Sequence, residues 1–294
     1  MTISSQRSRY PNWFLLPTIL VFGFLFVIPT LTSFYYSLTD WNINRRVITF
    51  IGFDNFIELF SDIKFRATLG NTLTYAFSVT FTRNFLGLLL AILLNIATLR
   101  GKNLFRTIIF LPYVIAPVVI GYLFTAIYNP SQGILNQSLR TIGLAFLAKD
   151  WLNDPNIALF STIMTDVWRT TGFSMVIYLA GLQAIPQELY ESAAIDGANG
   201  VRRLAHITLP LLAPSITINV VLALIGTMKV FVMILVLTNG GPGYATEVMN
   251  TYIMSTFSLG LYGSGTAANI ILSLLIITIG LPVLLLLRRR EVEL

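Results

Sequence analysis

Arg83, Asp166, Arg169 and Lys229 each fall inside a long apolar run, where a charge at the centre of a bilayer costs about 2.5–3.5 kcal/mol on insertion scales. Such groups avoid lipid by pairing, by facing a water-filled interior, or by binding something. Asp166 and Arg169 are three residues apart, so they share a helix face and can neutralise each other. Lys229 has no acid near it in sequence, and its candidate partners are Asp166 or a residue of another subunit. A buried Asp166 could equally serve as a proton or ion site. Covalent chemistry is poorly supplied: with no cysteine and His206 as the single histidine, thiolate metal sites, cysteine nucleophiles and histidine-rich metal centres are excluded. The Gly-x-x-x-x-Gly-Lys-Ser/Thr phosphate loop is also missing, so the chain does not hydrolyse ATP alone and no resident cofactor is expected. An intramembrane enzyme would need a nucleophile, base or paired-carboxylate constellation that these residues do not form.

The elements that must position these charges are membrane spans. Of 294 residues, 55% are hydrophobic and only 11% charged, against about 25% charged in a soluble domain. A helix crosses the hydrocarbon core with roughly 20 apolar residues. Six runs qualify, near 13–36, 71–94, 104–128, 158–182, 215–237 and 266–287. The first follows Arg7 and Arg9, but it is long, contains Pro17 and Pro29, and precedes no Ala-x-Ala-like site, so it reads as a retained span rather than a signal peptide. The expected fold is all-α: one polytopic membrane domain over 1–294 with six transmembrane helices. Placing both termini in the cytoplasm puts ten Lys and Arg residues inside, Arg288, Arg289 and Arg290 among them, against six outside. The formal charge of +6 is thus explained by membrane topology rather than by nucleic acid, which is not an expected partner.

The loop 183–210 is no plain connector. Pro186 suits a first helical position, Glu188 and Glu191 complement the positive end of a helix dipole, and Gly197 or Gly200 can end the helix. One short helix over about 186–196 and another over about 201–207 are expected, and helices this short need a docking surface. That surface could be lipid headgroups, with Arg202 and Arg203 as anchors.

A more specific pattern runs through the same loop: Glu191-Ser192-Ala193, three residues, Gly197, nine residues, then Ile207-x-Leu209-Pro210. It resembles the EAA loop of permease subunits of binding-protein-dependent ABC importers, with Ser192 where the first Ala usually stands. Ile51-Gly-Phe-Asp-Asn-Phe56, Arg106-Thr-Ile-Ile-Phe-Leu-Pro112, Ala180-Gly-Leu-Gln-Ala-Ile-Pro186 and Leu237-Thr-Asn-Gly-Gly-Pro242 extend the likeness over nearly the whole chain. It is similar to sugar permeases of the maltose-permease type.

The resemblance implies a heteromeric importer in a bacterial or archaeal inner membrane. Its expected partners are a second permease subunit, two ATP-binding subunits carrying ATP and Mg, an extracytoplasmic solute-binding protein, and membrane lipid. The loop would be the coupling helix, over about 186–200, with Glu191, Ser192, Ala193, Ala194, Asp196 and Gly197 meeting the ATPase. Family matching puts Asp166, Thr170 and Phe173 of span four, and Ala223, Gly226, Thr227 and Val230 of span five, at solute-pocket positions, and the in-span charges Arg169 and Lys229 join them as expected substrate-binding residues. Trp168, Tyr178, Asn219 and Asn269 offer further ring faces and hydroxyl partners. Thr238–Gly243 is a turn-rich outer loop suited to the binding protein. The competing reading is a secondary transporter that uses Asp166 as its ion or proton site and needs no ATPase.

Overall fold

The computed structural model describes residues 12–96, 100–289 and 291; the expected positions of Arg7, Arg9, Arg290 and both termini lie outside them. The chain runs through α1 (Trp13–Ser37), α2 (Asp54–Ser61) and the 32-residue α3 (Ile63–Leu94). Next come α4 (Lys102–Val114), α5 (Pro117–Ile127), α6 (Ile134–Thr141) and the 27-residue α7 (Ala158–Ala184). Then follow α8 (Gln187–Ile195), α9 (Gly200–Leu211), α10 (Ala213–Met228), α11 (Val232–Leu237), α12 (Met249–Ser258) and α13 (Tyr262–Arg288). Among the described residues the extended pairing is a single isolated bridge, Thr39 with Phe50.

Six spans are expected, and the helices show how far each expected run is continuous. By length and apolarity, α1, α3 and α13 can each cross a membrane, and two bent pairs raise the number to five at most. α7 has the length but carries Asp166, Arg169 and a run of threonines and serines, which lower its apolarity. The third expected span is broken between α4 and α5, which meet at 98°. The cause is local. Pro117 opens α5, and Ala116, held out of the helical region by the proline after it, takes φ −56°, ψ 134°. Just ahead of the fifth expected span α9 and α10 meet at 64°, and the span itself breaks once, where α10 stops at Met228 before α11 resumes at Val232. No proline explains this break. There the Lys229 carbonyl, left without a partner in the helical ladder, accepts a hydrogen bond from Asn250 Nδ2 (2.7 Å) on α12. α2, α6 and α12 were not foreseen.

α3, α7 and α10 form the centre, joined by a buried polar spine. Tyr178 donates to Asn84 Oδ1 (2.5 Å), Arg83 Nε to Ser174 Oγ (3.1 Å), and Thr80 and Thr227 share a hydroxyl hydrogen bond of 3.1 Å. Ser174 Oγ donates to Asn219 Oδ1 (3.2 Å), while Asn219 Nδ2 donates to the Ser174 carbonyl (3.3 Å). Small hydroxyl and amide side chains of this kind hold helices together where burial of apolar surface drives nothing. α4 approaches α7 closely because Gly172 has no side chain: a Cβ there would collide with the Ile109 carbonyl. On the periphery, α1 buries none of its most apolar stretch and α13 only 11%. A helix apolar all round and uncovered is one solvated by lipid or by another chain.

Candidate functional site

The four polar or aromatic candidates of α7 follow the helical repeat: Asp166, Arg169, Thr170 and Phe173 stand at i, i+3, i+4 and i+7 and share one face. That face borders a cavity of about 610 Å³, lined on its other sides by Arg83, Tyr113 and Pro117 and by the end of α10 with the 229–233 segment. All seven residues expected at the solute site, Asp166, Arg169, Thr170, Phe173, Gly226, Thr227 and Lys229, line this one cavity, as does Val230. Ala223 is buried among helices instead.

Within the cavity Asp166, only 4% exposed, accepts two hydrogen bonds on Oδ1, from Arg169 Nε (3.0 Å) and Arg169 Nη2 (2.9 Å). Arg169, not Lys229, is thus the partner of Asp166. Lys229 is exposed at the C-cap of α10, a correction to its expected burial within a span. Thr170 and Thr227 turn their hydroxyls partly back on their own helices, to the Asp166 carbonyl (2.6 Å) and the Ala223 carbonyl (2.9 Å). An aromatic platform completes the lining: Tyr113 stacks on Phe173 with ring centroids 4.5 Å apart, and the Arg169 guanidinium lies 6.0 Å from the Tyr113 centroid. Such a site offers ring faces for sugar C–H surfaces and a mixed set of charged donors and acceptors.

Tyr113 and Arg83 are the residues the expected site lacked. Arg83 was visible as an in-span charge; Tyr113 reaches the cavity only because Gly172 admits α4 against α7. Trp168, by contrast, is 45% exposed and packs on Phe124 with centroids 5.2 Å apart, away from the cavity. Asn269 is exposed on α13, and Tyr178 and Asn219 belong to the polar spine.

At the end of the bundle where α7 stops, α8 takes shape by local rules. Pro186 is its N-cap, one residue earlier than the expected first helical position, and Gly197 ends it. Gly197 has φ +74°, its N–H donates to the Ala194 carbonyl (3.1 Å), and the Ala198 N–H reaches back to the Ala193 carbonyl (2.8 Å). This is the Schellman closure, which favours glycine at that position. Asn199 then caps α9, its side chain accepting from the Arg202 N–H (2.9 Å). α9 runs on to Leu211, longer than the expected 201–207. Glu191, Ser192, Ala194, Asp196 and Gly197 are exposed and Ala193 is half-buried. Ile195, 88% exposed, adds an uncovered apolar side chain beside them. Tyr190 moors α8 to the bundle: it packs on the Leu182, Ile185 and Leu212 cluster and hydrogen-bonds Thr208 at 3.0 Å.

At the opposite end the 238–247 turn is tied by a Thr238 to Thr246 hydroxyl bond of 2.7 Å. It borders a second cavity, about 690 Å³, in which Lys64 pairs with Glu247 (3.6 Å) and lies over the rings of Tyr244 and Tyr252. Burial, with Asp62 alongside, pushes the Tyr252 hydroxyl up to about 12.

Apolar helices of spanning length around an internal charged cavity define a polytopic membrane transport protein. The chain belongs to the family of binding-protein-dependent transport system inner membrane components, whose model matches residues 83–291, and it is an ABC transporter permease of that family. It is similar to the probable ABC transporter permease protein YurN of Bacillus subtilis strain 168, with 38% identity over 95% of this chain and 96% of the relative. The trehalose/maltose transport system permease protein MalF of Thermococcus litoralis is 34% identical over 90% of this chain and 88% of its own. In fold the chain is similar to a solved bacterial ABC transporter involved in importing the acidic polysaccharide alginate, with TM-score 0.81, 30% identity and coverage of 95% and 96% of the two chains. The family is one of membrane components rather than catalytic subunits.

Proposed function

We propose that the chain is the translocation subunit of an ATP-driven importer for a sugar or related carbohydrate. In this reading residues 1–294 form one transmembrane domain of six spans, two of them bent, with both termini in the cytoplasm of a bacterial or archaeal cell. A second permease subunit completes the passage, two ATP-binding subunits hold ATP and Mg, and an extracytoplasmic binding protein delivers solute to the end bearing the 238–247 turn. The seven residues Asp166, Arg169, Thr170, Phe173, Gly226, Thr227 and Lys229 contact the solute in transit. α8, through Glu191, Ser192, Ala193, Ala194, Asp196 and Gly197, seats in the ATPase, so that ATPase closure moves α8 and α9 as a lever and shifts the population between inward and outward states.

The observation that carries this reading is the convergence of all seven candidates on one cavity, at the centre of the helices whose far end presents the exposed α8. Support also comes from the carbohydrate systems named among the relatives, trehalose/maltose, multiple sugar and alginate. The test is to purify the tagged chain from its own membrane and reconstitute what accompanies it. The proposal requires a second permease, an ATP-binding subunit, and ATP hydrolysis stimulated by sugar-loaded binding protein. Ion- or proton-driven uptake by the chain alone would replace it with a secondary transporter.

A further inference from the structure

We infer that the cavity between α3, α7 and α10 selects a solute bearing a carboxylate or phosphate, such as a uronate or a sugar phosphate, over a neutral sugar. The inference rests on the carbohydrate reading above and narrows it.

Four charged side chains line the cavity: Arg83, Arg169, Lys229 and Asp166. Arg169 and Asp166 balance each other through the two hydrogen bonds on Oδ1, which leaves two cations. Arg83 is 7% exposed, and its Nε donates to a neutral partner, Ser174 Oγ. Among the described residues no Asp or Glu oxygen lies within 4.0 Å of Arg83 or Lys229. Arg83, withdrawn from water, needs an anion or oriented acceptor groups in place of its lost hydration, and the exposed Lys229 adds a second positive charge to the same lining. A guanidinium fork meets carboxylate and phosphate oxygens in two parallel hydrogen bonds, and an ammonium meets them as a point charge. The volume of about 610 Å³ falls within the range of small-ligand sites, roughly 300–1,000 Å³. The Tyr113 and Phe173 stack supplies a face for the sugar ring, which lets the acidic group reach toward Arg83 and Lys229.

The chain contains no cysteine, so one introduced thiol reports from one place. Val230→Cys in the cavity lining, in the whole reconstituted importer, is treated with a sulfonate-bearing and a trimethylammonium-bearing methanethiosulfonate. Each rate is divided by the rate with free mercaptoethanol. The sulfonate is expected to be favoured by about tenfold or more, equivalent to roughly 1.4 kcal/mol, and added salt should shrink the preference. Lys229→Gln and, separately, Arg83→Gln should each reduce it, and D-glucuronate should slow the labelling where D-glucose at the same concentration does not. A ratio near one, or a preference for the cation, overturns the inference, because an acid of the companion subunit then neutralises the pair. If neither reagent reaches Val230→Cys in any nucleotide state, the cavity is not a passage and the carbohydrate reading fails with it.

Discussion

In the cavity Asp166 is nearly inaccessible and its carboxylate is held by Arg169 one helical turn away, whereas Glu191 on α8 is exposed and, among the described residues, is met by Gln187 Nε2 at 2.9 Å. The first region is fixed by contacts between distant parts of the chain: α3, α7 and α10 are tied by Arg83, Ser174, Asn219, Thr80 and Thr227. The second is fixed by its own sequence: a proline before it, a glycine after it, and Tyr190 as its mooring. The difference suits the two proposed tasks. A passage must hold charges in place without a partner present, while a coupling helix must keep its contacts free for a surface that arrives from outside.

The largest expected effect is therefore in the cavity. Asp166→Leu leaves Arg169, whose side chain is 18% exposed, without its counter-ion. Breaking a buried pair from one side costs about 3–5 kcal/mol, so the purified complex should lose thermal stability as well as sugar-stimulated ATP hydrolysis. Asp166→Leu combined with Arg169→Leu should recover much of the stability but not the stimulation. Recovery of both would make the pair purely structural.

A smaller effect, confined to coupling, is expected at Gly197. Leu at φ +74° carries left-handed strain of about 1–2 kcal/mol, and it would disturb the end of α8 that the proposal seats in the ATPase. Gly197→Leu should weaken ATPase association while solute-cavity labelling stays unchanged, and Gly197→Asn, which tolerates that backbone, should be milder. Equal damage from both would mean that the missing side chain matters more than the backbone conformation. Tyr190→Phe comes next. Loss of the bond to Thr208 removes about 0.5–1.5 kcal/mol of mooring, which should lower ATP hydrolysis per solute moved and leave assembly intact. Arg202→Ala, on an exposed position of α9, should change little. A larger loss there than at Gly197 would point to lipid anchoring of this loop.

The same contrast explains what could be read from the residues in order. α8 was legible because Pro186, Gly197 and the acidic first turn act within a few residues of each other, though Pro186 takes the N-cap instead of the first helical position and the helix starts one residue later. The cavity face of α7 was legible too, since Asp166, Arg169, Thr170 and Phe173 repeat with the helix; the same phase, applied to Trp168 two residues from Asp166, would have placed it on the far side. The bend before Pro117 has a local signal, the effect of a proline on the residue preceding it. The break after Met228 has none, because its hydrogen bond comes from Asn250, and Tyr113 enters the site through the missing side chain of Gly172 on another helix. Run lengths of apolar residues record neither event, so the six expected spans carry no sign of where the helices bend.

The central claim is that the helices around the cavity and the exposed α8 are parts of one ATP-driven subunit. Because the chain has no cysteine, Ser192→Cys on α8 can be cross-linked specifically in native membranes. The account predicts a covalent product with the ATP-binding subunit whose yield changes when ATP and sugar-loaded binding protein are added together. A Ser192→Cys that forms no such product and is modified only by membrane-embedded reagents would contradict it.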